Sequence, residues 1–502
     1  MLFNSIEFLL FFPAVLLIYW IIPGKVRMYW LLVTSYVFYM GWNPQYALLL
    51  LFSTAVTWVS GLLIGWSRKS AEKAEQEGRK KRSLTKLWVV LSLVLNLGIL
   101  FFFKYFDFAV DNINSLLSAL GREAVKPTFD VLLPVGISFY IFQALSYTMD
   151  VYRGDVRVEK NFFKYAVFVS FFPQLVAGPI ERSSHLLSQF DEPKPFNYEG
   201  VRDGLLMMLW GFFQKLVIAD RAAIAVNEVF NACEYYSGFT VVLAAALFAV
   251  QIYGDFAGYS CIAIGAGQVM GFELMKNFNQ PYFAVSVSDF WRRWHISLST
   301  WFRDYLYIPL GGNRKGTARK YLNQFIVMLV SGLWHGAAWT YVIWGALNGI
   351  MQVTGGMTAK WRKSVRAKLG VKENTLSTRI AKMIITFVLI DLTWIFFRAN
   401  TVSDAFYILG SVFRGWDMKV LVDGSLLRLG LDTTEWACLG IGIIVLIAVG
   451  VMKERGMRIR ECLSCQQMWF RWLVYLAAIF AVLLLGIYGP GFEASAFIYF
   501  QF

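Results

Sequence analysis

The reading of this chain turns on two runs, DFWRRWHISLSTWFRDYLYIPLGGNRKG at 289–316 and, after a basic and polar connector, FIVMLVSGLWHGAAWTYVIWGALNGIM at 325–351. Only three histidines occur in 502 residues, and two of them, His295 and His335, fall here. His335 lies between Trp334 and Gly336 in an apolar run long enough to cross a bilayer, where an ionisable side chain is costly and marks a functional site by default. A neutral histidine can also simply hydrogen-bond between packed helices. For His295 the competing reading is interfacial: in WRRWH, Arg292, Arg293 and two tryptophans could grip lipid headgroups.

Composition supports a membrane setting for the whole chain. It is 57% hydrophobic, 17% aromatic and 16% charged, with mean hydropathy +0.52 and many apolar runs of spanning length, which predicts an all-α polytopic membrane protein. The net charge of +14 does not imply nucleic acid. Residues 67–87 carry a net +5, 355–382 a net +7 and 453–471 a net +3, so the remainder is close to neutral. Basic blocks between apolar runs are what cytoplasmic loops carry. Five cysteines give no disulfide framework, and Cys462 and Cys465 form a lone CxxC that is weak as a metal motif. The acidic Glu7 and the lack of a small-residue cleavage site argue against a cleaved signal peptide at 6–22.

Apolar runs at about 6–22, 28–42, 45–66 and 87–106 lead to a polar segment at 107–130, expected outside. LLPVGISFYIFQALSYTMDVYRG (132–154) then returns inward, with Gln143, Ser146 and Asp150 on one helical face pointing into the bundle. FVSFFPQLVAGPIERSSHLLSQF (168–190) is broken by Pro173, Gly178 and Pro179, so a re-entrant or broken element is expected, with His185 at an interface. In QIYGDFAGYSCIAIGAGQVMG (251–271) the small residues allow close helix approach, but they do not explain Asp255, which is placed near the site. Three further spans near 383–398, 435–452 and 472–489 bring the total to roughly eleven crossings in one domain, 1–502, with both termini outside.

A buried histidine can act as a general base, taking the proton from a hydroxyl as it attacks an activated acyl carbonyl. The chain has no GxSxG elbow and no zinc-ligand spacing, so neither a self-contained serine hydrolase nor a metal centre is expected. In WFRDYLYIPLGGNRKG, glycines permit close backbone approach and Arg303, Arg314 and Lys315 suit phosphates of a coenzyme A or phosphopantetheine arm, although the same charges would serve a cytoplasmic interfacial hairpin. Asp289, Arg303, Asp304, Asn313 and Asp255 are the candidate substrate-binding residues, with His335 and His295 catalytic. A transporter or flippase using His335, Asp255 and Asp150 along a substrate path is the alternative.

The run at 289–314 followed by SGLWHGAAWTYVIWG (331–345) closely resembles the membrane-bound O-acyltransferase family, in its bacterial branch of alginate and peptidoglycan O-acetylation. MLFNSIEFLLFF (1–12), 132–154, FFPQLVAGPI (171–180) and the closing FIYFQF (497–502) are similar to the same branch, while Cys261 stands where relatives often have an acidic residue. The resemblance implies a helical ring with a central tunnel between a cytoplasmic donor entrance and an external acceptor funnel. His335 matches the family histidine and His295 its upstream partner. It further implies a bacterial cytoplasmic-membrane O-acyltransferase with no bound cofactor, acetyl-CoA or another acyl thioester as donor, an external SGNH-type transferase as partner and a polysaccharide or cell-wall glycan as acceptor. FIYFQF is also similar to the aromatic-tyrosine ending of a partner peptide in teichoic acid D-alanylation, which makes Tyr499 a candidate acyl relay.

Overall fold

The structure is a computed structural model that describes residues 1–78, 83–125, 133–373 and 375–488, and every regular element among them is helical. They form two compact units: Met1–Leu205 with Ala263–Met275, and Leu206–Ile262 with Lys276 onward. Tyr499 and the rest of the closing FIYFQF lie outside the described residues.

The first unit contains α1 (Ile6–Ile21), α2 (Gly24–Met40), α3 (Pro44–Gln76), α4 (Thr85–Ala119), α5 (Ile137–Arg153) and α6 (Phe162–Ser170). Asn43 starts α3 by accepting a hydrogen bond from the Gln45 N–H, with Pro44 at the first helical position where its missing N–H costs nothing. The helix then continues into the basic connector as far as Gln76. The fourth helix continues beyond the apolar run that ends near 106. It runs 35 residues through a π-helical turn (Phe101–Tyr105) to Ala119, because the polar-looking segment places Phe106, Val110, Ile113 and Leu117 at helical spacing.

The face predicted for α5 is buried and hydrogen-bonded. Gln143 donates to the Phe168 carbonyl at 2.6 Å, and Asp150 accepts from the Ser183 hydroxyl at 2.7 Å. After α6 the chain breaks as expected into short helical turns at Phe172–Leu175 and Ser183–Leu186, with the whole of 171–183 buried. Gly178 makes the turn possible, since a Cβ there would sit 2.3 Å from the Gln174 Cα.

Helix α7 (Tyr198–Phe212) leads through a π-helical segment (Phe213–Ala219) into α8 (Asp220–Asn231). The chain continues as α9 (Phe239–Val269), α10 (Val287–Arg293), α11 (Ile296–Phe302), α12 (Thr317–His335), α13 (Trp339–Met357), α14 (Leu376–Arg398), α15 (Thr433–Glu454) and α16 (Met468–Leu485). A full capping box between Asp432 and Glu435 opens α15. Among the described residues six helices, α3, α4, α9, α14, α15 and α16, are long and apolar enough to cross a membrane. That is fewer than the roughly eleven crossings expected. Helices α1 and α2, with 16 and 17 residues, lie at the short end of the about 17 to 25 residues that span a bilayer.

His185 does not stand alone at a surface. Its Nδ1 lies 2.9 Å from the buried Glu181 carboxylate, which also accepts from the Met275 N–H. Glu181 raises the His185 pKa, and burial raises that of Glu181. Both folded values lie above the unfolded ones, so the stability they contribute is present at low pH and is lost as pH rises through each folded pKa. His185→Gln should therefore flatten the fall in thermal stability between about pH 6 and about pH 8, read from melting curves in detergent.

Candidate active site

A contact between two helices with no side chains in the way places His335. Helices α12 and α13 form a hairpin in which a Cβ on Gly332 would lie 2.3 Å from the Tyr341 carbonyl oxygen, and a Cβ on Gly345 would lie 2.6 Å from that of Met328. Gly336, directly after the histidine, packs as closely on the Tyr341 ring. Helix pairs in lipid associate by this kind of close backbone packing. The consequence is that the C-terminal turn of α12, which ends at His335, is pressed against the start of α13.

His335 is 2% exposed and sits among rings: Trp344 edge-on at 5.1 Å between centroids, Trp334 at 5.0 Å and Phe397 at 5.5 Å. His295, fully buried between α10 and α11, approaches it with 6.1 Å between ring centroids, flanked by Phe256 at 4.7 Å and Trp334 at 5.8 Å. Forty residues of sequence separation thus close into one aromatic-walled enclosure holding two imidazoles. His295 is one of two non-glycine residues with positive φ among those described, at 44°.

The interfacial reading of WRRWH is corrected. Trp291 and Trp294 are buried, at 8% and 1% exposure, within an aromatic cluster with Trp344 and Trp394, and the Trp291 indole donates to the Asn348 side chain at 3.1 Å. Asn348 in turn donates to the Thr393 hydroxyl, which joins α10, α13 and α14. Arg293 pairs with Asp289 and with Glu454, which also holds Arg379. Buried tryptophan packing, the Asn348 bridge and one ion network therefore fix the segment that presents His295.

The other candidates are more dispersed. Asp255 is buried, and Lys215 from the π-helical segment reaches it at 2.6 Å and Asp220 at 2.7 Å. Glycines 211, 254 and 258 let α9 approach that segment closely, while the neighbouring Phe256 points at His295. Arg303 and Asp304 pair with each other at 2.7 Å in a π-helical turn (Arg303–Tyr307). Asn313 accepts from the Tyr307 hydroxyl, and the glycine turn is pinned by Asn323, which donates to the Gly312 carbonyl at 3.1 Å. Sequence pattern singles out none of Lys215, Asp220, Phe256, Trp344 and Phe397. Their only signal was residue type, since pairing across such separations is not written in local periodicity.

The membrane-bound O-acyltransferase family model matches residues 155–397, which contain both histidines. A probable alginate O-acetylase, AlgI, of Pseudomonas putida is 39% identical over 452 residues, 90% of this chain and 87% of that protein. The chain belongs to the membrane-bound O-acyltransferase family. It is also 35% identical to a peptidoglycan O-acetyltransferase of Helicobacter pylori, over 82% of this chain and 79% of that one. To a teichoic acid D-alanyltransferase of Bacillus subtilis it is 28% identical, over 52% and 67%. This member of the family is accordingly a membrane acyltransferase, and a transporter is not favoured.

Two substitutions test how the enclosure is built. Gly345→Val drives a side chain into the α12 backbone and should lower the melting temperature and folded yield in detergent, at a cost of about 1–3 kcal/mol or more. Lys215→Met leaves two carboxylates buried without their cation and should cost about 3–5 kcal/mol, measured in the same way.

Proposed function

We propose that this chain takes an acyl group, acetyl by preference, from a cytoplasmic thioester and delivers it across a bacterial cytoplasmic membrane for O-acylation of an external polysaccharide or cell-wall glycan. The observation that carries the reading is the meeting of His295 and His335 in one buried, ring-walled enclosure. In the proposed step His335 removes the proton of an acceptor hydroxyl as its oxygen attacks the acyl carbonyl carbon. The carbon–sulfur bond then breaks, and the departing thiolate takes the proton from the imidazolium, so the step is balanced with the free thiol as product. We assign His295 to orienting the acyl carbonyl. The rings exclude water, which protects the thioester from hydrolysis.

On this reading the donor is acetyl-CoA or a carrier-linked acyl group whose phosphates meet Arg303, Arg314 and Lys315 on the glycine turn, with Asp289, Asp304 and Asn313 shaping that entrance and Asp255 bracing the wall behind His295. The basic blocks support a cytoplasmic position for that side and external termini. The names of the P. putida and H. pylori relatives support an acetyl group and a glycan acceptor. Tyr499 is the proposed first acceptor: its phenol ester would be labile enough to pass the group to an external SGNH-type transferase.

The test uses purified protein and acetyl-CoA labelled in the acetyl group. His335→Ala should slow thioester cleavage by about 100-fold or more, and Tyr499→Phe should lose the label retained on the protein. Cleavage by His335→Ala at the wild-type rate would refute the assignment.

A further inference from the structure

We propose that Asn277 is a positioning residue for His295, latching the histidine's backbone in the left-handed conformation that faces its ring toward His335. The inference rests on the reading of His295 as part of the active site. His295 adopts φ 44° and ψ 55°, a region that costs a residue with a Cβ roughly 1 kcal/mol or more and persists only where neighbouring contacts impose it. Those contacts converge from one short segment, Asn277 to Asn279. Asn277 is 1% exposed, and its carbonyl accepts the Ile296 N–H at 2.9 Å, immediately after the histidine. Two residues on, the Asn279 N–H donates to the Arg293 carbonyl at 2.9 Å, immediately before Trp294 and His295. The strained residue is thus held by backbone hydrogen bonds on both sides from a single short segment.

The side chain of Asn277 supplies the third and fourth ties. Its Oδ1 accepts from the Ser297 hydroxyl at 2.6 Å, fixing the first turn of α11, and its Nδ2 donates to the Ser260 Oγ at 3.0 Å. Ser260 lies one helical turn beyond Phe256 on α9, and Phe256 is the ring packed edge-on against His295 at 4.7 Å. One amide therefore couples the loop carrying the imidazole to the helix carrying its wall. Asparagine suits this position because its Oδ1 accepts from Ser297 while its Nδ2 donates to Ser260. Asn277 touches neither histidine ring in any hydrogen bond, so its effect on the reaction runs through geometry.

The experiment measures thioester cleavage by purified full-length enzyme carrying Ser297→Ala, Asn277→Ala, both together, or His295→Ala. Ser297→Ala removes one oxygen, so it tests the latch even where Asn277→Ala folds poorly. The latch predicts kcat about 10- to 100-fold lower in each single variant, an unchanged donor KM, and a double variant no slower than Asn277→Ala alone because Asn277→Ala already removes the Ser297 tie. Ser297→Ala should also melt within a few degrees of wild type. Wild-type kcat in Ser297→Ala and Asn277→Ala, alongside a slow His295→Ala, would overturn the latch and leave the active site standing. Losses that only follow the fraction of folded protein, or that multiply in the double variant, would reduce Asn277 to packing and overturn it equally. A His295→Ala enzyme as fast as wild type would remove the site reading itself.

Discussion

The site depends on the approach of two backbones. Where α12 crosses α13, Gly332 and Gly345 leave no room for a side chain on either helix, and in lipid such contacts replace the hydrophobic drive that holds soluble helices together. The crossing sets where α12 ends, and α12 ends at His335. Trp344, one residue before Gly345, is thereby brought edge-on to the imidazole, so a single packing constraint determines both the position of the candidate base and one wall around it.

Polar groups elsewhere in the second unit serve this arrangement. A lysine and two aspartates buried together are costly in an apolar setting and remain only if paired; Lys215 pairs with both Asp220 and Asp255. The pairing anchors the stretch of α9 that turns Phe256 onto His295. From the opposite side, Trp291, Asn348 and Thr393 link three helices behind the same loop. Rigid support from several directions is what an imidazole requires if it is to meet a thioester at a fixed distance and angle.

Much of this was legible in the chain, for physical reasons that can be named. An ionisable side chain in an apolar run is costly, so His335 stood out, and the Pro-Gly-Pro interruption at 173–179 announced the broken segment. Spacing along α5 correctly put Gln143, Ser146 and Asp150 on a buried face. Partners were not legible. Hydrophobic periodicity reports which face of a helix is buried but not what lies against it, so Lys215 was not joined to Asp255, and WRRWH read equally well as a headgroup anchor. Helix ends were not legible either: residues 106–119 continue α4 as an amphipathic helix, and such a helix shares its composition with a polar loop.

The central claim is that the thioester reacts between His295 and His335. A cryo-electron microscopy map of the enzyme bound to the thioether form of whichever donor labels it tests this most directly. The account predicts the acyl carbon inside the ring-walled enclosure, with an acceptor hydroxyl's place within about 3 Å of a His335 ring nitrogen. An acyl group seated outside that enclosure, with Trp344 and Phe397 still closed over His335, would contradict it.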